Sequence, residues 1–145
     1  YQESQYLDLI HFNKVVPIVN QIKITLRCQR KHMNEVMKER GTILQGYQVF
    51  GKEETLEIYK DERVKEMALK YHKTTRQIAM KYLVQKGISV ITRPMQRQWI
   101  KDNLNLFDFE LNEEEMSYLS SFDLLEYNTK PSQDYQRTKS MLENM

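Results

Sequence analysis

Cysteine, proline and long apolar runs are all scarce in this sequence of 145 residues. The single cysteine, Cys28, excludes an internal disulfide and a zinc site built from several thiolates, and it fits a reducing compartment. No apolar run approaches the roughly 20 residues that a membrane-spanning helix needs. Glu3 and Asp8 interrupt the apolar residues of segment 1–16, so this segment does not resemble a secretory signal. We therefore expect a cytoplasmic protein with no membrane partner.

A dominant charge and the common catalytic motifs are also missing. The 22 basic and 20 acidic residues are mixed along the chain and give a net charge of +2 at pH 7. The basic cluster in residues 27–31 is more typical of a solvated helix start than of an RNA-binding surface, so nucleic acid is not an expected partner. His11, His32 and His72 lack the spacing of metal ligands, and we expect no metal site. There is no Gly-rich phosphate loop, nucleophile elbow or cysteine-histidine arrangement.

What the sequence does contain is an alternation of short apolar segments with helical patterns. Three segments are predicted to form parallel strands. They are residues 15–22, within which the strand begins at Pro17, residues 42–47, and the apolar run 88–91 between Gly87 and Pro94. The third segment is rich in β-branched residues, which is typical of a buried parallel strand. Strands that alternate with helices predict an α/β fold with a parallel sheet.

Helices are predicted around these strands. Helical spacing of apolar residues covers residues 6–11, 29–40, 62–71, 78–83 and 99–104, the last with Trp99, Ile100 and Leu104 on its apolar face. Thr74 with Gln77, and Asn112 with Glu115, form capping boxes that mark two helix starts. Residues 52–60 are polar and are predicted to form a loop.

This arrangement resembles the C-terminal half of the barrel of the aldo-keto reductases. The segments that carry the resemblance follow the family's order at residues 17–22, 41–51, 61–64, 73–78 and 87–111. The resemblance implies a partial (β/α)8 TIM barrel, namely its C-terminal half with about three parallel strands and flanking helices, in residues 1–123. A C-terminal tail would follow in residues 124–145. A complete barrel typically needs about 250 residues, which is more than this chain has.

The resemblance also implies a set of cofactor-binding residues. They are Gln21, Tyr47, Arg93, Asp102 and Asn103. In the family, the residue at Gln21 contacts the nicotinamide carboxamide, and the residue at Tyr47 stacks on the nicotinamide ring. The residues at Arg93, Asp102 and Asn103 face the 2′-phosphate and the adenine of NADP(H).

Two positions depart from the family pattern. Pro94 stands where the family has serine, and Trp99 stands where it has an arginine that contacts phosphate. Each lost charge-assisted hydrogen bond costs about 1.5–3 kcal/mol, so the resemblance implies weakened NADP(H) binding. Arg97 is a nearby guanidinium that could substitute in part.

The activity implied by the family is NADP(H)-dependent reduction of a carbonyl. The catalytic aspartate, tyrosine, lysine and histidine of the family lie in the N-terminal half of its barrel, which these residues do not include. We therefore assign no catalytic residue and do not expect the chain to be active alone. The open edges of a three-stranded sheet need cover, either from the missing N-terminal half or from a protein partner. The alternative function is a non-catalytic structural or interaction subunit built on a degenerate half-barrel.

Overall fold

A computed structural model describes residues 1–124, without the side chains of residues 53 and 54. The elements in chain order are α1 (Glu3–Phe12), β1 (Val19–Lys23), α2 (Lys31–Glu39), β2 (Ile43–Tyr47), α3 (Glu53–Lys60), α4 (Glu62–Lys70), α5 (Thr75–Gln85), β3 (Ser89–Val90), α6 (Arg97–Leu104) and α7 (Glu113–Ser120). No helix in this range combines the length and the apolar character needed to cross a bilayer. Of the C-terminal tail predicted over residues 124–145, all but residue 124 lies outside the described residues.

The three strands form one parallel sheet in the order β1-β2-β3. Gln21 of β1 lies opposite Gln45 of β2, which in turn lies opposite Ser89 of β3. The predicted α/β class with three parallel strands is therefore confirmed. The third strand, with two residues that are both partly exposed, is shorter and less buried than predicted. Ile88 is buried, but Ile91 is 39% exposed.

One face of the sheet is packed and the other is open. Ile22 and Leu44 point into the packed side, where they are 6% and 1% exposed. On the opposite face, Val19, Ile43 and Tyr47 are 44%, 48% and 39% exposed, as the alternation of side chains along a strand dictates. The core therefore lies on one side of the sheet. Its fully buried side chains include Tyr6, Ile24, Met37, Ile78, Tyr82 and Leu83.

Capping boxes fix the starts of two helices. At α5, the Thr74 hydroxyl oxygen accepts a hydrogen bond from the backbone N–H of Gln77 at 3.2 Å. The Gln77 side-chain oxygen accepts one from the backbone N–H of Thr74 at 2.9 Å. The reciprocal bonds between Asn112 and Glu115 start α7 in the same way. Both predicted capping boxes are confirmed.

The prediction of a loop over residues 52–60 was wrong, because α3 occupies most of this segment. Thr55 and Ile58 are each 1% exposed and lie three positions apart on the buried side of the helix. Because this eight-residue helix has so few buried positions, its sequence shows no clear helical pattern of apolar residues.

The helix predicted over residues 99–104 exists as α6, but its apolar face is not buried. Trp99, Ile100 and Leu104 are 40%, 47% and 71% exposed. Its neighbour in the fold is α5 at the edge of the sheet, so the apolar side chains of α6 do not enter the core. The helical period therefore predicted the helix, but it does not state whether the apolar face of the helix is buried.

Candidate functional site

The carboxyl ends of the parallel strands, with the loops that follow them, form one edge of the sheet. The loop after β2 is tightly built there. Gln48 and Gly51 have φ values of +52° and +65°, and the Gly51 N–H donates to the Gln48 carbonyl at 2.8 Å. The Thr55 hydroxyl donates to the Phe50 carbonyl at 2.7 Å. These bonds fix the loop against the start of α3.

Two adjoining pockets open at this edge. The first, called the α6 pocket, has a volume of about 250 Å³ and is lined by Phe50, Thr74, Arg76, Gln77, Thr92, Arg93, Pro94, Trp99, Asp102 and Asn103. The second, called the β2 pocket, has a volume of about 360 Å³ and is lined by Tyr47, Gln48, Val49, Phe50, Gly51, Lys52, Ile91, Thr92 and Arg93. Because Phe50, Thr92 and Arg93 line both, an extended ligand can reach from one pocket into the other.

Hydrogen bonds hold the α6 wall of the first pocket in place. Gln77 Nε2 donates to the Asp102 carbonyl at 2.8 Å and to the Asn105 carbonyl at 3.3 Å. Asn103 Nδ2 donates to the Thr92 hydroxyl oxygen at 2.9 Å, which orients the Asn103 amide. Since α6 buries no side chain of its own, these polar contacts are what set the position of the wall.

Two arginines give the α6 pocket its positive charge. The Arg76 guanidinium lies 5.4 Å from the centroid of the Phe50 ring, within range of a cation–π contact. In the part of the chain that the structure describes, neither Arg76 nor Arg93 forms an ion pair with a carboxylate. Asp102 brings one carboxylate into the lining, and its Oδ1 accepts from Gln98 Nε2 at 2.7 Å. This balance favours an anionic ligand.

Tyr59 supports the loop after β2 through its hydroxyl group. Burial raises the pKa of Tyr59 to about 12, although nearby Arg76 acts to lower it. The hydroxyl therefore stays protonated at neutral pH. It donates to the Phe50 carbonyl at 3.1 Å and so helps to fix the residue that both pockets share.

Four of the five predicted cofactor residues line these pockets. Tyr47 lies in the β2 pocket, Arg93 lines both pockets, and Asp102 and Asn103 line the α6 pocket. The fold thus brings together residues that are far apart in the sequence. Their roles toward a cofactor remain predictions.

Gln21, the fifth residue, lies outside both pockets. It is the third residue of β1 and does not end the strand, and its Nε2 donates to Gln45 Oε1 at 2.9 Å. Gln45 Nε2 then donates to the Ser89 hydroxyl oxygen at 3.1 Å. These side chains form a short polar ladder across the open face of the sheet.

Sequence reasoning missed Arg76 and Gln77 as residues of the site. A signal was available, because the capping box at Thr74 places both in the first turn of α5. A helix that leads into a parallel strand begins at the edge where the strands end. The first turn of α5 therefore had to lie beside the carboxyl ends of the sheet.

Among the side chains that the structure describes, which are those of residues 1–52 and 55–124, no group of three or more His, Cys, Asp or Glu is placed to hold a metal ion. Cys28 is 6% exposed, and burial raises the pKa of its thiol, although Arg30 acts to lower it. A buried thiol with a raised pKa is a poor nucleophile.

Known proteins resemble this chain over most of its length. The model of the Aldo/keto reductase family matches residues 5–124. D-galacturonate reductase of Fragaria ananassa is 29% identical over 126 residues, which cover 83% of this chain and 39% of that protein. Rho crystallin of Rana temporaria is 30% identical over 118 residues, which cover 76% of this chain and 36% of that protein. The chain spans well under half the length of these curated relatives.

Solved structures give the same result for the fold. MGS-M4, an aldo-keto reductase from a deep-sea metagenome library, matches with a TM-score of 0.79 at 25% identity, covering 90% of this chain and 47% of that chain. A Bombyx mori aldo-keto reductase in complex with NADP matches with a TM-score of 0.75 at 21% identity, covering 93% and 48%. The sheet and its helices are therefore part of such a barrel, which confirms the predicted partial (β/α)8 TIM barrel.

Proposed function

The chain belongs to the aldo/keto reductase family, and from this premise we propose that it is the cofactor-binding part of an NADP(H)-dependent carbonyl reductase. The observation that carries the proposal is the pair of adjoining pockets, which share Arg93 and place Tyr47 and Asn103 at one edge of the sheet. Two adjoining pockets suit an extended dinucleotide better than a compact ligand. Bound NADPH would supply the hydride that reduces a substrate carbonyl.

Each predicted residue has a separate part in this proposal. Tyr47 offers a partly exposed aromatic face to the nicotinamide ring in the β2 pocket. Arg93 lines both pockets, so its guanidinium can bind the diphosphate that joins the two halves of the dinucleotide, a role that differs from the 2′-phosphate contact implied by the family resemblance. Asp102 and Asn103 present hydrogen-bonding groups to the edge of adenine in the α6 pocket.

The described residues fit the cofactor with fewer phosphate contacts than the family pattern provides. Pro94 offers neither a hydroxyl nor a backbone N–H. Trp99 offers no charge, but its indole ring is 40% exposed in the α6 pocket and can stack on adenine. Gln21 would reach the carboxamide only by exchanging its hydrogen bond with Gln45. We therefore expect a dissociation constant for NADPH on the order of micromolar.

The groups that protonate the substrate carbonyl are assigned to residues outside this chain. We propose that a further half-barrel, on the same or another polypeptide, supplies them and covers the open face of the sheet. Val19, Ile43 and Ile91 support this, because they are 44%, 48% and 39% exposed. An exposed apolar face of this kind is typical of an interaction surface.

A structural or interaction subunit is the second candidate. The open apolar face supports it equally, and the changes at Pro94 and Trp99 favour it over catalysis because they remove phosphate contacts. The two candidates differ in whether the pockets bind a nucleotide.

Titration of the 145-residue chain with NADPH, followed by the fluorescence of the reduced nicotinamide, separates the candidates. A dissociation constant on the order of micromolar supports the cofactor-binding proposal, and Tyr47→Ala should then weaken binding. Phe12→Ala is the matched control, because Phe12 is an exposed aromatic residue at the end of α1. A folded chain that shows no binding at about 1 mM NADPH contradicts the proposal and favours the structural subunit.

A further inference from the structure

The α6 pocket contains a second guanidinium that the predicted set of cofactor residues does not include. Arg76 lies in the first turn of α5 and lines the α6 pocket together with Arg93 and Trp99. It does not line the β2 pocket, whereas Arg93 lines both. Of the two arginines, Arg76 is therefore the one confined to the pocket beside α6.

The surroundings of Arg76 hold it ready for an anion. Its guanidinium lies 5.4 Å from the centroid of the Phe50 ring, and it forms no ion pair with any carboxylate that the structure describes, a set that leaves out the side chains of residues 53 and 54. The next residue, Gln77, is 5% exposed and bonded to the Asp102 carbonyl. The backbone at Arg76 is therefore fixed relative to the wall that carries Trp99.

We propose that Arg76 binds the phosphate on the adenosine side of the dinucleotide and so makes the site selective for NADP(H) over NAD(H). This inference rests on the proposed function, because it assigns one residue of the same site. A guanidinium is always charged and presents paired N–H donors that match phosphate oxygens. In this chain the phosphate contact has moved from α6, where Trp99 now stands, to the first turn of α5.

Arg97 is the other arginine near this wall, and the structure argues against it. It is the exposed first residue of α6 and is not among the residues that line the α6 pocket. Arg97 carries the same charge on the same side of the fold as Arg76 does. The variant Arg97→Ala is therefore the control that distinguishes a specific contact of Arg76 from a general effect of positive charge.

NADPH and NADH differ only in the 2′-phosphate, so their dissociation constants for the full 145-residue chain test the inference. We expect wild type to bind NADPH more tightly than NADH. Arg76→Ala should weaken NADPH binding by about tenfold to a hundredfold and change NADH binding by less than about threefold. Arg76→Lys should fall between wild type and Arg76→Ala, because it keeps the charge but loses the paired donors. Arg97→Ala should leave the ratio of the two constants unchanged.

Three results would overturn the inference. The first is that Arg76→Ala weakens NADPH and NADH binding equally, and the second is that it weakens neither. The third is that Arg97→Ala loses more selectivity than Arg76→Ala does. In each case the proposed binding of the cofactor by the wild-type chain would stand, but Arg76 would not be the residue that selects NADP(H). Failure of wild type to bind either dinucleotide would instead overturn the proposed function, and the inference with it. Thermal denaturation should show that all variants are folded, since both arginine side chains are exposed.

Discussion

Gln77 and Asp102 are joined by a hydrogen bond in which Gln77 Nε2 donates to the Asp102 backbone carbonyl at 2.8 Å. The bond links the first turn of α5 to α6 through a side chain that is only 5% exposed. Because α6 contributes no buried side chain, its position depends on this amide more than on apolar packing. The geometry of the α6 pocket is therefore sensitive to a residue that also caps a helix.

Replacing Gln77 should affect both stability and binding. Gln77→Ala is expected to lower the free energy of unfolding by about 1–3 kcal/mol, because it removes half of the capping box and leaves the Asp102 and Asn105 carbonyls without their donor. It should also weaken NADPH binding, since α6 is no longer held. Urea denaturation and NADPH titration measure the two effects.

The matched control is Gln98→Ala, which removes an exposed glutamine bonded to the Asp102 side chain. Its effect on stability should stay within about 0.5 kcal/mol. If Gln98→Ala destabilised the chain as much as Gln77→Ala did, the buried amide would not be what anchors α6.

Gly51 and Gly41 form a matched pair of glycines. Both have positive φ, at +65° and +73°, so alanine strains the backbone at either position. A Cβ on Gly51 would also overlap the Thr55 side chain, whereas a Cβ on Gly41 meets nothing within 4 Å. Gly41→Ala should cost about 1 kcal/mol and Gly51→Ala clearly more, as measured by urea denaturation. Equal costs would show that Thr55 can move aside.

Glu115 makes stability dependent on pH in the acid range. Burial alone would raise the pKa of Glu115, but hydrogen bonds from Lys70 and Tyr71 outweigh it and hold that pKa below its ordinary value of 4.5. A carboxyl group whose pKa is lowered by folding stabilises the protein above its unfolded pKa, and this contribution is lost as the pH falls through the folded pKa.

We therefore expect the free energy of unfolding to fall as the pH drops below about 4.5, and Glu115→Gln to make that fall shallower. Urea denaturation at a series of pH values checks this. The control is Glu114→Gln, because Glu114 is an exposed neighbour in the same first turn of α7. An identical pH dependence in wild type and Glu115→Gln would rule out Glu115 as the titrating group.

The open face of the sheet should promote association when nothing covers it. Ile43→Glu places a charge at the start of β2 on that face, where Ile43 is 48% exposed. We expect wild type to self-associate with rising concentration and Ile43→Glu to do so less, as measured by sedimentation equilibrium. Leu69→Glu, on α4 and 75% exposed, should leave the association unchanged. A wild-type chain that stays monomeric would show that the face needs no partner.

Much of the fold was predictable because its signals are local. The capping boxes at Thr74 and Asn112 need only residues three positions apart, and the three strands carry short apolar runs. The helix α3 was missed because Thr55 and Ile58 give it too few buried positions to form a visible period. Periodicity predicted the helix that carries Trp99, but it does not state whether the apolar face of that helix is buried, and α6 buries none of its side chains.

The candidate site was predicted in part for the same reason. Tyr47, Arg93 and Asn103 follow strands and therefore meet at the carboxyl edge of the sheet. Gln21 was taken to end a strand, but β1 continues to Lys23. Arg76 follows the capping box at Thr74, which places it at the carboxyl edge of the sheet, but its position in the α6 pocket also depends on how α5 packs against α6.

Trp99 is the single tryptophan of the chain and lines the α6 pocket, so its fluorescence reports on the site directly. The most direct test of the account is to titrate the 145-residue chain with oxidised NADP, which does not absorb the emission of tryptophan. We predict saturable quenching of Trp99 emission, with a dissociation constant that agrees with competition against NADPH. If NADPH bound but oxidised NADP caused no change in Trp99 emission, the assignment of these pockets to the cofactor would be contradicted. The absence of binding by either form would contradict it as well.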